Sequence, residues 1–394
     1  MTKRASRNHT PAFKAKLALV ANKGGFEAMN KLFWGGVAAL ALVVASGARA
    51  DDLMQTAKAK VAAATQKAGQ WDGPTTGPRA ATGKTVIYVA GDLKNGGTEG
   101  VSRGVEEAAK VIGWTLRVID GQGEISGRTA ALNQAVALKP DGIIVGGFDA
   151  IEQNAALAAV RDAAIPFVGW HATVAPGPDP ATGMFANVNT RIADVAETAA
   201  DLAIVDSNGK AGVVIFGDSQ YVMAIGKARL MEAVIKKCGG CTVLSLEDAP
   251  MAEASTRMPQ LTTSLLLRFG DKWTYSLAVN DLYYDFMGPS LAAAGKSGTD
   301  APHNISAGDG SESAFQRIRA KQYQIATVPE PLHEQGWELI DELNRAFAKQ
   351  PWSGYISGIH LVTADNIAFD GGPNNVFDPD NGYRDVYKKI WGVK

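Results

Sequence analysis

Thr85-Val86-Ile87-Tyr88-Val89-Ala90 is an uninterrupted, largely β-branched apolar run that follows Lys84 and precedes a polar loop. A short run without polar alternation predicts a strand that is buried on both faces, as in a parallel sheet. After the loop 91–98, residues 99–112 carry their apolar side chains at the spacing of a helix. This strand, loop and helix form the unit from which the fold is predicted.

The same unit recurs on both sides of about residue 188. Further strands are predicted at 115–119, 143–145, 166–170, 211–216, 242–246, 275–279 and 305–307. Helices are predicted at 126–138, 154–164, 192–205, 225–237, 257–269 and 285–294. Strands that alternate with helices indicate βαβ units and parallel sheets. The sequence therefore predicts an α/β fold with two doubly wound parallel-sheet lobes that meet at a cleft.

The net charge of -1 over 394 residues conceals a basic leader and an acidic body. Residues 1–50 contain eight Lys and Arg and one Glu, which leaves 31 basic and 39 acidic residues, a net charge of -8, for residues 51–394. An acidic body without a basic stripe argues against nucleic acid as a partner. The chain is 46% hydrophobic and can bury a core, and its length favours two domains.

Residues 29–50 have the pattern of a secretory signal peptide. Lys31 precedes an apolar run over 32–44, and small residues stand at Ala48 and Ala50. The run is shorter than the roughly 20 residues of a membrane span, so we predict cleavage after Ala50. The alternative is an uncleaved N-terminal anchor. Residues 1–28 do not fit this pattern, and we interpret them as a doubtful extension that arises from an error in the start site.

Residues 51–83 are predicted to form an N-terminal helix and a linker. The Ala- and Lys-rich segment 53–70 suits one amphipathic helix, which two prolines and two glycines in 71–78 then end. The segment either packs on the body or serves as a flexible tether.

The chain has two cysteines, Cys238 and Cys241. A C-x-x-C pair is a redox motif, half of a zinc site or a disulfide across a short loop. A thioredoxin-like motif stands at the start of a helix, whereas this pair follows one, and the sequence offers no second ligand pair nearby for zinc. After export, a disulfide that closes a helix–strand turn is the favoured interpretation.

The ends of the predicted strands carry a set of polar and aromatic side chains. Ligands of open parallel sheets lie beyond the carboxyl ends of the strands, so these residues are the candidates for a binding site. Carboxylates and amides suit hydroxyl-rich ligands such as sugars and polyols, although an Asp or Asn at a strand end also often caps the next helix. The candidates are Asp92, Asn95, Asp149, Trp170, His171, Tyr221, Asn280, Asp309 and Glu330.

Motifs of catalysis and cofactor binding are missing from the sequence. It contains neither G-x-G-x-x-G nor the phosphate-binding G-x-x-x-x-G-K-[ST], and its histidines form no H-E-x-x-H. The letters G-x-S-x-G occur at Gly100–Gly104, but they lie within the predicted helix 99–112 and not at the strand-to-helix turn of a nucleophile elbow. We therefore predict that the chain is not an enzyme and has no cofactor or metal site.

Several segments, taken in order, carry a resemblance to a known family. They are Thr85–Val89 with Asn95, Gly104–Ala109, Lys139–Val145, Val279–Asp281, Gly308–Gly310 and Leu361–Asn366. On these residues the chain, from about 84 to 367, resembles type I periplasmic sugar-binding proteins of ABC importers, the ribose-binding-protein-like family. The resemblance implies two lobes joined by three crossings that close over one ligand. It also implies ligand contacts from Asn95, Asp149, Asn280, Asp309 and Glu330.

The sequence departs from the ribose binders of that family at two places. Gly96-Gly97-Thr98 stands where they carry stacking aromatic residues, and no arginine lies near the start of the helix after Asp218. The ribose pocket is therefore not reproduced, and Trp170 and Tyr221 are predicted to supply the aromatic walls instead.

Together these observations predict a periplasmic solute-binding protein for a small carbohydrate or polyol. Its expected partner is the permease of an ABC importer in the inner membrane, and the chain is expected to act as a monomer. The predicted first lobe comprises 84–187 and 331–362, and the second comprises 188–330 and 363–394 with the tail. The alternatives are a protein that presents its ligand to a chemotaxis or signalling receptor, and a secreted α/β enzyme.

Overall fold

The computed structural model describes residues 52–394. The predicted extension 1–28, the signal peptide 29–50 and the cleavage after Ala50 therefore lie outside the described residues. In the described range no helix is both long enough and apolar enough to cross a membrane. The first described helix, α1, covers residues 52–64.

The first lobe is built on a six-stranded sheet. Its strands are β1 Thr85–Ala90, β2 Thr115–Asp120, β3 Gly142–Gly146, β4 Phe167–Trp170, β5 Gly177–Asp179 and β6 Met184–Val188. They lie in the order β2-β1-β3-β4-β6-β5, and all neighbours are parallel except β5 and β6. The helices between them are α2 Gly96–Ile112, α3 Ile125–Ala137 and α4 Asn154–Asp162.

The second lobe repeats this architecture. Its strands are β7 Gly212–Gly217, β8 Thr242–Asp248, β9 Tyr275–Ala278, β10 His303–Ser306, β11 Gln324–Thr327 and β12 Val362–Thr363. They lie in the order β12-β11-β10-β9-β7-β8, with only β12 antiparallel to its neighbour. The remaining helices are α5 Ile192–Asp206, α6 Val222–Lys237, α7 Ala254–Phe269, α8 Gly288–Ala293, α9 Glu312–Ala320, α10 Leu332–Phe347, α11 Ile367–Asp370 and α12 Tyr383–Trp391. The predicted fold class is confirmed.

The apolar run of β1 is explained by helices on both faces of its sheet. Val86 and Tyr88 face one buried cluster, which includes α2 and α10, while Ile87 and Val89 face a second cluster under α3 and α4. Side chains alternate between the two faces of a strand, so a strand covered on both faces needs apolar residues at every position. The hydroxyl of Tyr88 donates to the carbonyl oxygen of Thr98 at 3.1 Å, which satisfies the one fully buried polar side chain of the run.

Two strands lie in a segment for which the sequence analysis predicted none. β5 and β6 fall within 172–189, and β6 pairs in parallel with β4 through Gly169 and Asn187. The strand β6 is not recognisable from the sequence because the segment is rich in Pro and Gly and because the strand itself contains the polar residue Asn187. The amide group of Asn187 is buried because it serves the loop, donating to the carbonyl oxygens of Thr173 and Ala175 and accepting from the backbone N–H of Ala172.

The chain crosses between the lobes at 189–191, 328–331 and 348–361. The tail differs from the predicted boundary, which assigned 363–394 to the second lobe. β12 and α11 lie on the second lobe, but α12 packs on α2 and α10 of the first lobe. The reason is the apolar face of α12, whose Tyr383, Tyr387 and Trp391 are buried around Trp337.

The N-terminal extension also contacts both lobes. Ala64 at the end of α1 packs into the core of the second lobe, and its carbonyl oxygen accepts from the backbone N–H of Leu361. Trp71 instead packs among aromatic rings of the first lobe, with its ring centroid 4.8 Å from that of Tyr355. The residues between these two points therefore form a further connection between the lobes.

The predicted disulfide is confirmed. Cys238 and Cys241 are bonded, with 5.3 Å between their Cα atoms, at the turn between α6 and β8.

Candidate functional site

A cavity lies between the carboxyl ends of the two sheets. Eight of the nine predicted binding residues line it, and the ninth, Glu330, contacts a lining residue. The other lining residues are Thr98, Gly147, Met223, Ala224, Lys227, Met251, Ala252, Val279 and Leu282. Both lobes therefore contribute polar and apolar groups to the same space, as expected for a ligand held between the strand ends.

Asp149 closes the cavity with a contact from one lobe to the other. Its Oδ2 accepts a hydrogen bond of 2.8 Å from the backbone N–H of Val222, at the start of α6. A carboxylate at a helix N-terminus satisfies a backbone donor that has no partner within the helix. Burial raises the pKa of Asp149 to about 6, because the charged form is partly removed from water. The lobes are thus in contact around the cavity.

Asp309 is the buried carboxylate of the second lobe. Its Oδ2 accepts from the amide nitrogen of Asn280 at 2.8 Å, and its Oδ1 lies 3.9 Å from the ammonium nitrogen of Lys227. Burial raises the pKa of Asp309, and the positive charge of Lys227 opposes that effect. Asp309 and Asn280 form one unit beside the cavity.

Lys227 is a site residue that the sequence analysis missed. It lies in the second turn of α6, is 4% exposed and lines the cavity. Its ammonium group donates to the carbonyl oxygen of Ala307 at 2.7 Å, which among the described residues is its one acceptor within hydrogen-bond distance. An ammonium group has three donors, so donors remain for a ligand oxygen. A lysine inside a helical run carries no sequence signal that separates it from a surface lysine.

Glu330 lies in the crossing 328–331, and its carboxylate contacts His171, Thr190 and Gln335. Its Oε1 lies 2.8 Å from Nε2 of His171, and its Oε2 accepts from the amide nitrogen of Gln335 and the backbone N–H of Thr190. Burial alone would raise the pKa of Glu330, but His171 and Lys227 lower it to about 2. Both oxygens of Glu330 are therefore engaged by the protein itself.

Trp170 and His171 form one stacked pair beside the cavity. Their ring centroids are 3.9 Å apart, and the indole N–H of Trp170 donates to Oε1 of Gln335 at 2.8 Å. One face of the Trp170 ring is thus covered by His171, which leaves less aromatic surface for a sugar than a free indole would offer. The backbone of His171 has a φ of 51°, a conformation that costs energy in a non-glycine residue and is found at functional sites.

Two predicted amides also cap helices. The side-chain oxygen of Asn95 accepts from the backbone N–H groups of Gly97 and Thr98 at the start of α2, and that of Asn280 accepts from the N–H of Leu282. Capping and cavity lining therefore coexist in these residues. The cap also explains why α2 begins at Gly96, three residues before the predicted start.

Among the described residues, one group of side chains has the spacing of a metal site: His171, Asp309 and Glu330, with ligand atoms within 4.8 Å of one another. The group does not suit a cation. The ammonium group of Lys227 lies beside Asp309, and both oxygens of Glu330 already accept hydrogen bonds. A metal ion would face a positive charge and would have to displace these donors.

Comparison with known proteins identifies the class. The profile of the family described as "Periplasmic binding protein domain" matches residues 86–351. The chain belongs to this family, whose fold its two lobes share. A search of curated proteins found no match.

Solved structures of solute-binding proteins share the fold at low sequence identity. A solute-binding protein of an ABC transporter from Agrobacterium vitis, bound with α-D-tagatopyranose, has a TM-score of 0.66 at 15% identity, covering 75% of this chain and 99% of its own. The arabinose-transporter component from Shewanella sp. ANA-3, bound to L-arabinofuranose, has a TM-score of 0.62 at 16% identity, covering 78% and 95%. A further Agrobacterium vitis protein, with bound allitol, has a TM-score of 0.61 at 17% identity, covering 72% and 97%.

Proposed function

We propose that the protein is the periplasmic solute-binding component of an ABC importer, and that it takes a small carbohydrate or polyol into the cleft by hinge closure. The observation that carries the proposal is the convergence of polar side chains from both lobes on one cavity. Asp149 and Asn95 act from the first lobe, and Asn280, Asp309 and Lys227 act from the second. A ligand that contacts both lobes stabilises the closed form.

The charges in the cavity disfavour an anionic ligand and suit one rich in hydroxyl groups. Asp92, Asp149 and Asp309 are carboxylates, and Lys227 is the ammonium group among them. An anionic ligand would face the carboxylates, whereas a hydroxyl group both donates to a carboxylate and accepts from an ammonium group. The proteins of the same fold with a bound pyranose, furanose and hexitol support this ligand class.

The partner in this proposal is the permease of the importer, and the protein acts as a monomer without a catalytic step. Its place is the periplasm, which the chain reaches by means of the signal peptide 29–50 with cleavage after Ala50. N-terminal sequencing of the exported protein tests this part, and a mature chain that retains residues 29–50 would contradict it.

A thermal-shift screen of sugars, polyols and other small solutes tests the ligand class. A solute that binds only the native state raises the melting temperature, and the rise grows with its concentration. We expect neutral pentoses, hexoses or polyols to be among the hits. A screen in which only charged solutes raise the melting temperature would overturn the proposed class.

The Asp309→Ala variant tests whether a hit occupies the cavity. A ligand hydroxyl that donates to Asp309 would be left buried without a partner, so we expect binding to weaken by at least about 1 kcal/mol in calorimetry. The matched control is Asp271→Ala, which removes an exposed carboxylate from the same lobe. Equal affinity for the hit in the wild type and Asp309→Ala would show that Asp309 does not contribute to binding.

A further inference from the structure

Besides the hydrogen bond between Asp149 and Val222, a second contact connects the two lobes. Arg128 belongs to α3 of the first lobe, and its side chain is fully buried. Tyr221 precedes α6 of the second lobe, and its ring packs against the apolar clusters of both lobes. The guanidinium group of Arg128 donates to the hydroxyl of Tyr221 at 3.1 Å and lies 5.4 Å from its ring centroid.

The first lobe holds Arg128 in place for this contact. Glu152 accepts from the guanidinium group at 2.8 Å, and the carbonyl oxygen of Gly123 accepts at 3.0 Å. These two partners belong to the same lobe as Arg128, so they keep the guanidinium group in position whether or not the second lobe is near. The only group that leaves Arg128 when the lobes separate, among its described hydrogen-bond partners, is Tyr221.

Arg128 is not among the residues that line the cavity. Its contact with the Tyr221 hydroxyl is therefore made and broken with closure, while the Tyr221 side chain also lines the cavity. Next to it, the N–H of Val222 donates to Asp149 across the same junction. The start of α6 is thus attached to the first lobe at two consecutive residues.

We propose that Arg128 and Tyr221 form a latch that stabilises the closed arrangement of the lobes in the absence of ligand and so sets the affinity for every ligand by a common factor. The proposal rests on the hinge closure of the proposed function. A ligand that binds the closed form has an apparent affinity reduced by the fraction of molecules that are closed. A change at Arg128, which leaves every cavity-lining residue in place, therefore shifts all dissociation constants together.

The test is the closed fraction of the ligand-free protein, measured by single-molecule energy transfer. Dyes are attached at N133C on α3 and A233C on α6, two exposed positions on opposite lobes. The two native cysteines are bonded to each other and do not take up dye. We expect a measurable closed population in the wild type and an about tenfold lower closed-to-open ratio in Tyr221→Phe and Arg128→Lys. The first variant removes the hydroxyl that accepts from Arg128, and the second removes the planar guanidinium fork that reaches Glu152 and Tyr221 at once.

Two further variants complete the test. The double variant Arg128→Lys/Tyr221→Phe is expected to match the single variants, since the two side chains act through one contact. The control Tyr323→Phe removes a tyrosine hydrogen bond that lies within the second lobe, to the carbonyl oxygen of Lys296, and is expected to leave the ratio unchanged. Circular dichroism and the melting temperature establish that each variant is folded, and Tyr221→Phe keeps the test valid if Arg128→Lys fails to fold.

The outcomes separate the latch from the function on which it rests. A closed-to-open ratio that is the same in the wild type and both latch variants, or a wild type without a closed population before ligand is added, overturns the latch. If a solute identified by the thermal-shift screen then closes the lobes, the proposed function stands without the latch. If that solute changes no distance, hinge closure itself is overturned.

Discussion

At the scale of single residues, Lys227 supplies a positive charge to a cavity that is also lined by carboxylates, amides and apolar groups. It brings the only ammonium group among the cavity-lining residues to a place where Asp309 is nearly inaccessible to water. Burial penalises each charge, and a neighbouring opposite charge offsets part of that penalty. The pair is therefore a unit in which neither residue can be replaced without affecting the other.

The substitution Lys227→Met tests this unit. It removes the donors that face the cavity and leaves Asp309 without its neighbouring cation, so we expect binding of a cognate sugar or polyol to weaken by about 2 kcal/mol or more in calorimetry. The control is Lys237→Met, which changes an exposed lysine on the same helix. If Lys227→Met and Lys237→Met bind the ligand equally well, Lys227 takes no part in binding.

At the scale of elements, α10 carries an unusual number of buried acidic residues. Glu334, Glu338, Asp341 and Glu342 are each at most 3% exposed, because the extension, the tail and the crossing 348–361 cover the helix. Asp341 accepts from Arg345 and from the indole N–H of Trp391, but one oxygen of Glu338 and one of Glu342 have no hydrogen-bond partner among the described residues. Burial raises the pKa of Glu334 and of Glu342 to about 7.

These shifts predict a stability that falls as pH rises. The unfolded chain releases these protons near the ordinary pKa of 4.5, whereas the folded chain keeps them up to about pH 7. The folded state binds more protons in that interval, so the free energy of unfolding decreases from pH 4.5 to pH 7 and then levels off. We expect a higher melting temperature at pH 5 than at pH 8, measured by circular dichroism. A melting temperature that rises over this range would contradict the assignment.

The variant Glu342→Gln isolates one of these groups. The amide oxygen of the new glutamine can accept from the backbone N–H of Ser353, as Oε1 of Glu342 does in the wild type. The amide group carries no charge at any pH. We expect it to stabilise the protein at pH 8, on the order of 1–3 kcal/mol, and to have little effect at pH 4.5. Glu106→Gln, on the exposed face of α2, is the matched control and is expected to have no such pH-dependent effect.

Asn344 attaches the extension to the same helix. Its side chain is fully buried, accepts from the backbone N–H of Ala81 and donates to the carbonyl oxygens of Pro78 and Arg79. Asn344→Ala removes three hydrogen bonds, and we expect it to lower the free energy of unfolding by about 2–3 kcal/mol in urea titrations. In limited proteolysis we expect residues 71–83 to be cut faster in Asn344→Ala than in the wild type. The control Asn133→Ala, which changes an exposed residue, is expected to be cut at the wild-type rate. Unchanged proteolysis would mean that other contacts hold the extension.

At the scale of the whole molecule, the lobes are connected more often than the resemblance implied. Beside the crossings at 189–191, 328–331 and 348–361, the chain passes between the lobes at 65–70 and again at 378–382. Each additional connection joins an element packed on the second lobe to one packed on the first. The first links α1 to Trp71, and the second links Phe377 to α12. Because each link is short, we expect both to limit how far the lobes can separate.

Cutting the first additional connection tests this limit. A specific protease site inserted in the exposed segment 66–70 allows cleavage without removing α1 or the residues from Trp71 onward. We expect the open state to show a larger inter-dye distance after cleavage, with the same dye pair used to test the latch. The uncut protein with the same insertion is the control, and an identical open distance before and after cleavage would show that the segment does not restrain the lobes.

Much of the architecture was predictable, and the failures have physical reasons. The strands β1, β3, β7 and β9 are mostly apolar and almost entirely buried because helices cover both faces, so their signal is local. β6 was missed because it contains the polar residue Asn187. The burial of Asn187 is explained by its hydrogen bonds to the loop residues Thr173 and Ala175, which are distant from it in the sequence pattern. The end of the tail, α12, was assigned to the wrong lobe because its amphipathic pattern indicates that one face is buried, but not which surface buries it.

The two α/β lobes, the strand ends at which polar residues gather and the helix–strand turn that the disulfide closes could be predicted from the sequence, because each depends on neighbours along the chain. Three contacts became visible only in the folded structure: Lys227 reaches the cavity, the oxygens of Glu330 are engaged by the protein, and Arg128 meets Tyr221. Those contacts join residues of distant segments, and their geometry depends on how two separately formed lobes come together.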